Sequence, residues 1–356
     1  MTTPRRVHLY YFTNWARELI TADEHLRLLP QMDMRQWTTD PNDPQLLRMA
    51  RLDADYDGDW LKAVRAVSHP ALEVVSVQLL GVPGVLKFLE NFARRTERQD
   101  EHWLIFFGRR LEQLGPALGR TLKLFTTLGG KIFFWSWDNL SRDLKNYASD
   151  IGPYLTVLLH DEQPLLPAVA AALPQNCLER HLSGVANTVP FSVPFPEQVE
   201  ERIVFLGSKM GVTPNRRQQF EALSAHFKDR FRAIYDYSVP VDERPQLQRY
   251  KVNLCPEGRC FTPPEMAGTH TDRPFWAGCF GQVPVIEDSR YGGRLEDLTQ
   301  QGLVLRYPYG GGPKLIEACE RALQTSDAER RRIYEHFNRH QTMSPIIGEM
   351  IARARR

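Results

Sequence analysis

The strongest constraint on this chain is an alternation that runs, stops and starts again. Short runs rich in β-branched and aromatic residues, at 7–12, 72–80, 103–108, 131–137 and 154–160, read as strands bounded by polar or Gly/Pro clusters. Between them, residues 85–95 and 117–128 carry helical spacing. Such a succession calls for a parallel sheet covered on both faces. The pattern then breaks at Asn187-Thr-Val-Pro-Phe-Ser-Val-Pro-Phe-Pro-Glu197, which has three prolines and no period and reads as a linker. The alternation resumes with a strand at 202–207, a helix at 215–227 and a strand at 250–255. A helix at 272–280, a strand at 283–287 and a helix at 313–323 follow. The expected class is α/β, with two Rossmann-like domains whose parallel sheets face a central cleft. Residues 1–195 form the first domain, 196–330 the second, and 331–356 a basic C-terminal helix. A length of 356 residues is long for one hydrophobic core and fits this division.

Bulk composition narrows the chemistry by exclusion. A net charge of +2 gives no global field that would gather nucleic acid. Cysteines 177, 255, 260, 279 and 319 are odd in number and do not look like a disulfide framework, so a reducing, cytoplasmic setting is expected. Cys255, Cys260 and Cys279 lack zinc-ligand spacing and read as buried thiols. The N-terminus does not resemble a signal peptide, and no apolar run approaches the length of a bilayer span. The tail is basic, with Arg330 to Arg332 and then Arg353, Arg355 and Arg356, interleaved with Ile346, Ile347, Met350 and Ile351. Two readings stand for it: a terminal helix docked on the fold, or peripheral contact with the anionic inner face of a membrane.

In open α/β sheets ligands bind at the carboxyl ends of strands, so the chemistry is sought in strand-end loops. Val204-Phe-Leu-Gly-Ser208 is a strand running into a small-residue loop, with Lys209, Arg216 and Arg217 at the mouth of a helix. Gly207 lets the backbone approach a ligand, and helix amides with a guanidinium suit a diphosphate. A plain loop with solvated arginines is the alternative. Further on, Tyr250-Lys-Val-Asn-Leu-Cys-Pro-Glu-Gly-Arg259 ends a strand, and Gly268-Thr-His-Thr-Asp-Arg-Pro-Phe-Trp-Ala-Gly278 opens a helix. Thr271 would cap that helix, with Asp272 and Arg273 in its first turn. The acid can accept from ribose hydroxyls and the base can neutralise phosphate; equally, both can simply serve the helix dipole and solvent. In the first half, Phe133-Phe-Trp-Ser-Trp137 is an aromatic strand closed by Asp138. Its aromatic faces suit sugar C–H surfaces and its carboxylate suits removal of a hydroxyl proton, or else the aromatics are core and Asp138 caps a helix. His160-Asp161 ends another strand and offers a second base candidate. Asp53-Ala-Asp-Tyr-Asp-Gly-Asp59 starts like a calcium loop but reaches Val64 where a carboxylate is due, so it reads as a solvated acidic loop before a helix at Trp60 or as an Asp-x-Asp metal site. Gly310-Gly-Gly-Pro-Lys314 precedes a helix without the Walker pattern, and is read as a mobile loop or a nucleotide contact.

Taken in order, Tyr250–Cys255 with Glu257, then Thr271-Asp272-Arg273, then Val283-Pro-Val-Ile resembles the donor-binding block of α1,3/4-fucosyltransferases. That family reads Tyr-Lys-Phe-x-Leu-x-Phe-Glu-Asn, then Thr-Glu-Lys, then an apolar strand; exostosin-type transferases are similar over the same block. The likeness spans roughly residues 202–290, and Lys131 to Asn139 is weakly similar to the family strand ending in Gly-Glu-Asn. The resemblance implies a GT-B glycosyltransferase, inverting and without a metal or other cofactor. It would move a sugar from a nucleoside diphosphate, with GDP-fucose the donor implied, to a glycan hydroxyl in surface polysaccharide or glycoconjugate synthesis. Carried over residue by residue, it makes Asp138 the general base, Arg217 and Arg273 the diphosphate ligands and Asp272 the ribose ligand. Gly207, Ser208, Lys251, Glu257 and Thr271 complete the donor side. Asp stands for the family's Glu at 138 and 272, Arg for Lys at 273, and Pro256-Glu-Gly for Phe-Glu-Asn. These departures leave open a UDP-sugar donor, or a non-catalytic nucleotide- or glycan-binding protein on the same fold.

Overall fold

The computed structural model describes residues 6–13, 63, 66–67, 69, 72–78, 92, 100–107, 118–136, 152–160, 171, 180–181, 188, 190–207, 214–234, 247–256, 273–288 and 294–354. The chain forms two compact units. The first holds Met1–His160, Pro164–Leu182 and Ile347–Arg356; the second holds Asp161–Gln163 and Ser183–Ile346.

In the first unit, β1 (Val7–Thr13), β2 (Leu72–Gln78), β3 (Glu101–Phe107), β4 (Lys131–Ser136), β5 (Leu155–His160) and β6 (Arg180–His181) form one sheet. Their order is β2-β1-β3-β4-β5-β6 and every pairing is parallel. Consecutive residues are buried, Trp103 to Ile105 in β3 and Ile132 to Phe134 in β4, as a sheet covered on both faces requires. Helix α1 (Leu118–Thr127) turns Leu122 and Phe125 inward, and the Phe125 ring lies 4.8 Å from that of Phe92. It ends at Gly129, whose φ of 89° is open to glycine at little cost. Gly130 follows because a Cβ there would meet the Phe125 ring at 2.3 Å.

The second unit repeats the plan. Strands β7 (Glu200–Leu206), β8 (Phe231–Ile234), β9 (Tyr250–Cys255), β10 (Val283–Glu287) and β11 (Leu305–Tyr307) lie in the order β11-β10-β9-β7-β8, all parallel. In both units the second strand pairs outside the first and the third pairs on its other side, so each sheet has a topological switch point beside its first strand. Helix α2 (Pro214–Phe227) links β7 to β8, α3 (Arg273–Cys279) precedes β10, and α4 (Arg294–Gln300) precedes β11. Helices α5 (Pro313–Gln324), α6 (Asp327–His340) and α7 (Met343–Ala354) follow. All of β9 is buried, and Val252, Leu254, Phe275, Val285, Leu315 and Phe337 sit in one core at no exposure. Gly278 lets α6 close on α3, since a Cβ there would strike the Phe337 ring at 2.4 Å.

The expected α/β class with two parallel, Rossmann-like sheets is what the structure shows. Several boundaries differ. β7 begins at Glu200 rather than 202, and residues 152–154 form a single 3-10 turn ahead of β5. Strands β6, β8 and β11, of two to four residues, escaped the pattern because so few residues carry no period.

The proline-rich segment is held by α6 within the second unit. Arg330, wholly buried, donates to the carbonyls of Gly281 at 3.1 Å and Pro196 at 3.3 Å and pairs with Asp327 at 2.7 Å. The Phe195 ring receives the guanidinium groups of Arg330 and Arg331, and Tyr334 donates to the Val193 carbonyl at 2.8 Å. Arg331 pairs with Glu197, and Arg332 donates to the carbonyls of Gln301 and Gly302. The first half of the basic tail is thus engaged inside the protein. Ile346, Ile347, Met350 and Ile351 are buried, so α7 is a docked helix. No helix among the described residues is long and apolar enough to cross a membrane.

Candidate functional site

The site assembles at the carboxyl end of β7, at the switch point of the second sheet. β7 enters the core on Ile203, Val204, Phe205 and Leu206 and becomes partly exposed at Gly207, past the end of its register with β9. Arg273, the first residue of α3, folds back over this end. Its Nε donates to the Leu206 carbonyl at 3.0 Å, and its guanidinium carbon stands 5.1 Å from the Phe205 ring centroid. Gly207 is needed for this packing: a Cβ there would lie 2.6 Å from Phe205 Cζ and 3.3 Å from an Arg273 terminal nitrogen. The glycine expected to admit a ligand first of all admits a neighbouring ring and a guanidinium. The half-buried cation is held by one nitrogen against the backbone, stacked on an aromatic face and fixed at the end of a strand.

A second group of side chains lies two strands further along the sheet, beyond β9. Glu287 ends β10 and is the single carboxylate buried among the described residues. Its Oε1 accepts from Gln219 Nε2 at 2.8 Å, from the Gly310 backbone N–H at 2.9 Å and from Asn215 Nδ2 at 3.4 Å. Tyr307 donates its hydroxyl to Gln219 Oε1 at 3.1 Å. Burial pushes the Tyr307 hydroxyl well above its ordinary pKa, the Glu287 charge adds to this, and the buried Arg216 acts in the opposite sense. The network joins the first turns of α2 to the loop that opens α5.

Of the residues singled out from sequence, Gly207 and Arg273 are brought together. Arg217 is exposed on the first turn of α2, while its neighbour Arg216 is buried. Lys251 lies at the other end of the sheet: it is the second residue of β9, buried, and paired with Glu201 of β7 at 2.9 Å. It is not among the carboxyl-end groups. Asp138, Asp161, Ser208, Glu257, Thr271 and Asp272 lie outside the described residues. Glu287, Gln219 and Tyr307 were not singled out from sequence. The signal was a carboxylate closing the apolar run Val283-Pro-Val-Ile, but its partners come from distant elements and only the fold reveals them.

Cys255, Cys279 and Cys319 are free and buried, as expected for structural thiols. Burial pushes the Cys279 and Cys319 thiols up to about 12, far from the reactive range. Among the described residues no cluster of three or more His, Cys, Asp or Glu is arranged to hold a metal ion.

Fold and site together describe a two-unit parallel α/β protein with a guanidinium fixed at a strand-end switch point. No protein-family model matches the chain, and no curated relative matches it. Among solved structures it is similar to AviGT4, a glycosyltransferase involved in avilamycin A biosynthesis, at 13% identity and a TM-score of 0.47, covering 98% of this chain and 97% of that one. It is also similar to the spinosyn rhamnosyltransferase SpnG complexed with thymidine diphosphate, at 11% identity and a TM-score of 0.39, over 98% and 100% of the two chains. A third is the α,α-trehalose 6-phosphate synthase of Burkholderia multivorans, at 12% identity and a TM-score of 0.40, over 99% and 98%.

Proposed function

We propose that this chain is a glycosyltransferase of the GT-B type that moves a sugar from a nucleoside diphosphate to a glycan hydroxyl. One observation carries the reading: the guanidinium of Arg273 is fixed beside Gly207 at the carboxyl end of β7, where an open α/β sheet receives a nucleotide. A cation held there is set before the substrate arrives, so it stabilises charge growing on a departing diphosphate without reorganising. The resemblance of residues 250–286 to fucosyltransferase donor blocks supports the same assignment and names GDP-fucose as its first candidate donor.

In this reading Arg273 of α3 and Arg217 of α2 hold the diphosphate, Asp272 holds the ribose, and Thr271 belongs to the same donor side. Gly207, Ser208 and Glu257 shape the donor loop, and Asp138 of the first unit removes the acceptor proton, giving inversion by single displacement. No metal is required, because guanidinium groups carry the compensating charge.

The test is titration of the purified chain with GDP, UDP and TDP by calorimetry and thermal shift. Binding of one of them stabilises the fold by mass action. Arg273→Ala should weaken that binding by at least about tenfold, the scale of a lost charge-assisted contact. Asp138→Asn should leave it intact and abolish transfer. Equal binding by wild type and Arg273→Ala would remove the second-unit site from the proposal.

A further inference from the structure

Glu287 touches nothing in the function just proposed, yet it is the most heavily constrained carboxylate described. It is 1% exposed, and a buried carboxylate persists only where donors replace its water. Among the described residues its donors come from two places that the sequence separates by some ninety residues. Asn215 and Gln219 belong to the first turns of α2, the helix that follows the β7 loop. Gly310 belongs to the turn ahead of α5, where Gly310, Gly311 and Gly312 take φ values of 86°, 75° and 61°. Three successive glycines in the left-handed region have many alternative conformations, so this turn needs an external anchor to hold one. The bond from the Gly310 N–H to Glu287 Oε1 is such an anchor, and the same oxygen receives Gln219.

We infer that Glu287 is a positioning residue that fixes the Tyr309–Gly312 turn against the first turn of α2, and so sets the donor-side loops in their binding shape. The inference rests on the proposed nucleoside-diphosphate site. Glu287 itself need not touch the ligand. Its charge holds two chain segments in one arrangement, and Gln219 is in turn oriented by the Tyr307 hydroxyl. Tyr309, half-exposed on this turn, is carried with it.

Two measurements on the full chain test this. In Glu287→Gln a neutral amide oxygen replaces the carboxylate, so each bond weakens without a change of shape. Amide hydrogen exchange at residues 310–312 should quicken by at least about tenfold, while exchange in β7 and β9 stays as in wild type. Calorimetric titration with the nucleoside diphosphate that wild type binds should show Kd raised about tenfold at unchanged stoichiometry. A merely structural role would instead lower the stoichiometry and leave Kd alone, and that result overturns the inference. As a comparison, Ser326→Ala weakens the cap of α6 outside this network and should keep wild-type Kd; a rise there as large as in Glu287→Gln also overturns it. Should Glu287→Gln fail to fold, Gln219→Met removes the shortest bond to the same oxygen, with faster exchange at 310–312 as the expected result and unchanged exchange overturning the inference. If wild type binds none of GDP, UDP and TDP, the proposed function fails. The exchange experiment then decides alone whether Glu287 fixes the turn.

Discussion

Gly207 owes its lack of a side chain to Phe205 and Arg273 rather than to backbone conformation. Gly207→Ala would press a methyl group to 2.6 Å from the Phe205 ring and move the guanidinium stacked on it. The expected cost is about 1–3 kcal/mol, measured by urea unfolding, together with weaker nucleoside-diphosphate binding. At the amino end of the first unit's sheet, His8 and His102 stack at 5.0 Å across β1 and β3, and His8 Nε2 meets Asp100 at 2.9 Å. This hydrogen bond, chiefly, holds the Asp100 carboxyl below its ordinary 3.8. A depressed folded pKa contributes stability that is present above the unfolded value and is lost as pH falls through the folded one. Asp100→Asn should therefore flatten the loss of stability below about pH 4, read by chemical denaturation at a series of pH values. An unchanged acid limb would show that the pair contributes nothing. Single residues were legible in the sequence where local rules govern them. Arg273 was found because a helix start was visible at Thr271-Asp-Arg-Pro. Glu287 was not, because its meaning lies in partners at 215, 219 and 310.

In helix α6 the arginines read from sequence as part of a docked terminal helix or as a membrane contact. Arg330 is buried, while Arg331 and Arg332 are exposed, and all three have partners within the protein. The helix opens with a capping box: Ser326 accepts from the Glu329 N–H, and Glu329 accepts from the Ser326 N–H. The Ser326 N–H, joined by the Ser326 hydroxyl, donates to the Glu329 carboxylate and holds it below its usual range. Ser326→Ala should cost about 1 kcal/mol in urea unfolding. Arg330→Met is the harsher lesion, because the Gly281 and Pro196 carbonyls lose their buried donor; about 3 kcal/mol is expected by the same measurement. Neither this cap nor the clasp on the proline-rich segment was singled out from sequence; the clasp rests on partners far apart in the chain. Long elements with a steady period, such as α2 and β9, were found near their true bounds. β8 and β11 were missed because they are strands by virtue of their neighbours in the sheet rather than their own residues.

At the scale of the whole molecule, the two sheets share one strand order although the sequence shows no repeat to announce it. Topology of this kind is set by handed crossovers and layer packing, which many unrelated sequences satisfy. The units are not contiguous in sequence: Ile347–Arg356 belongs to the first one, and Ile347, Met350 and Ile351 are fully buried. Deleting residues 347–356 should quicken hydrogen exchange in β1 and β3 by at least about tenfold and leave β9 and β10 protected. Equal loss in both sheets, or none, would show that this segment does not stabilise the first unit separately.

That interleaving constrains how the protein is made. Domains generally fold in order as they leave the ribosome, but here the earliest-synthesised half waits for residues beyond 346 to emerge. Until then its apolar surface for α7 stays open, so a stalled nascent chain would be the species that chaperones must shield.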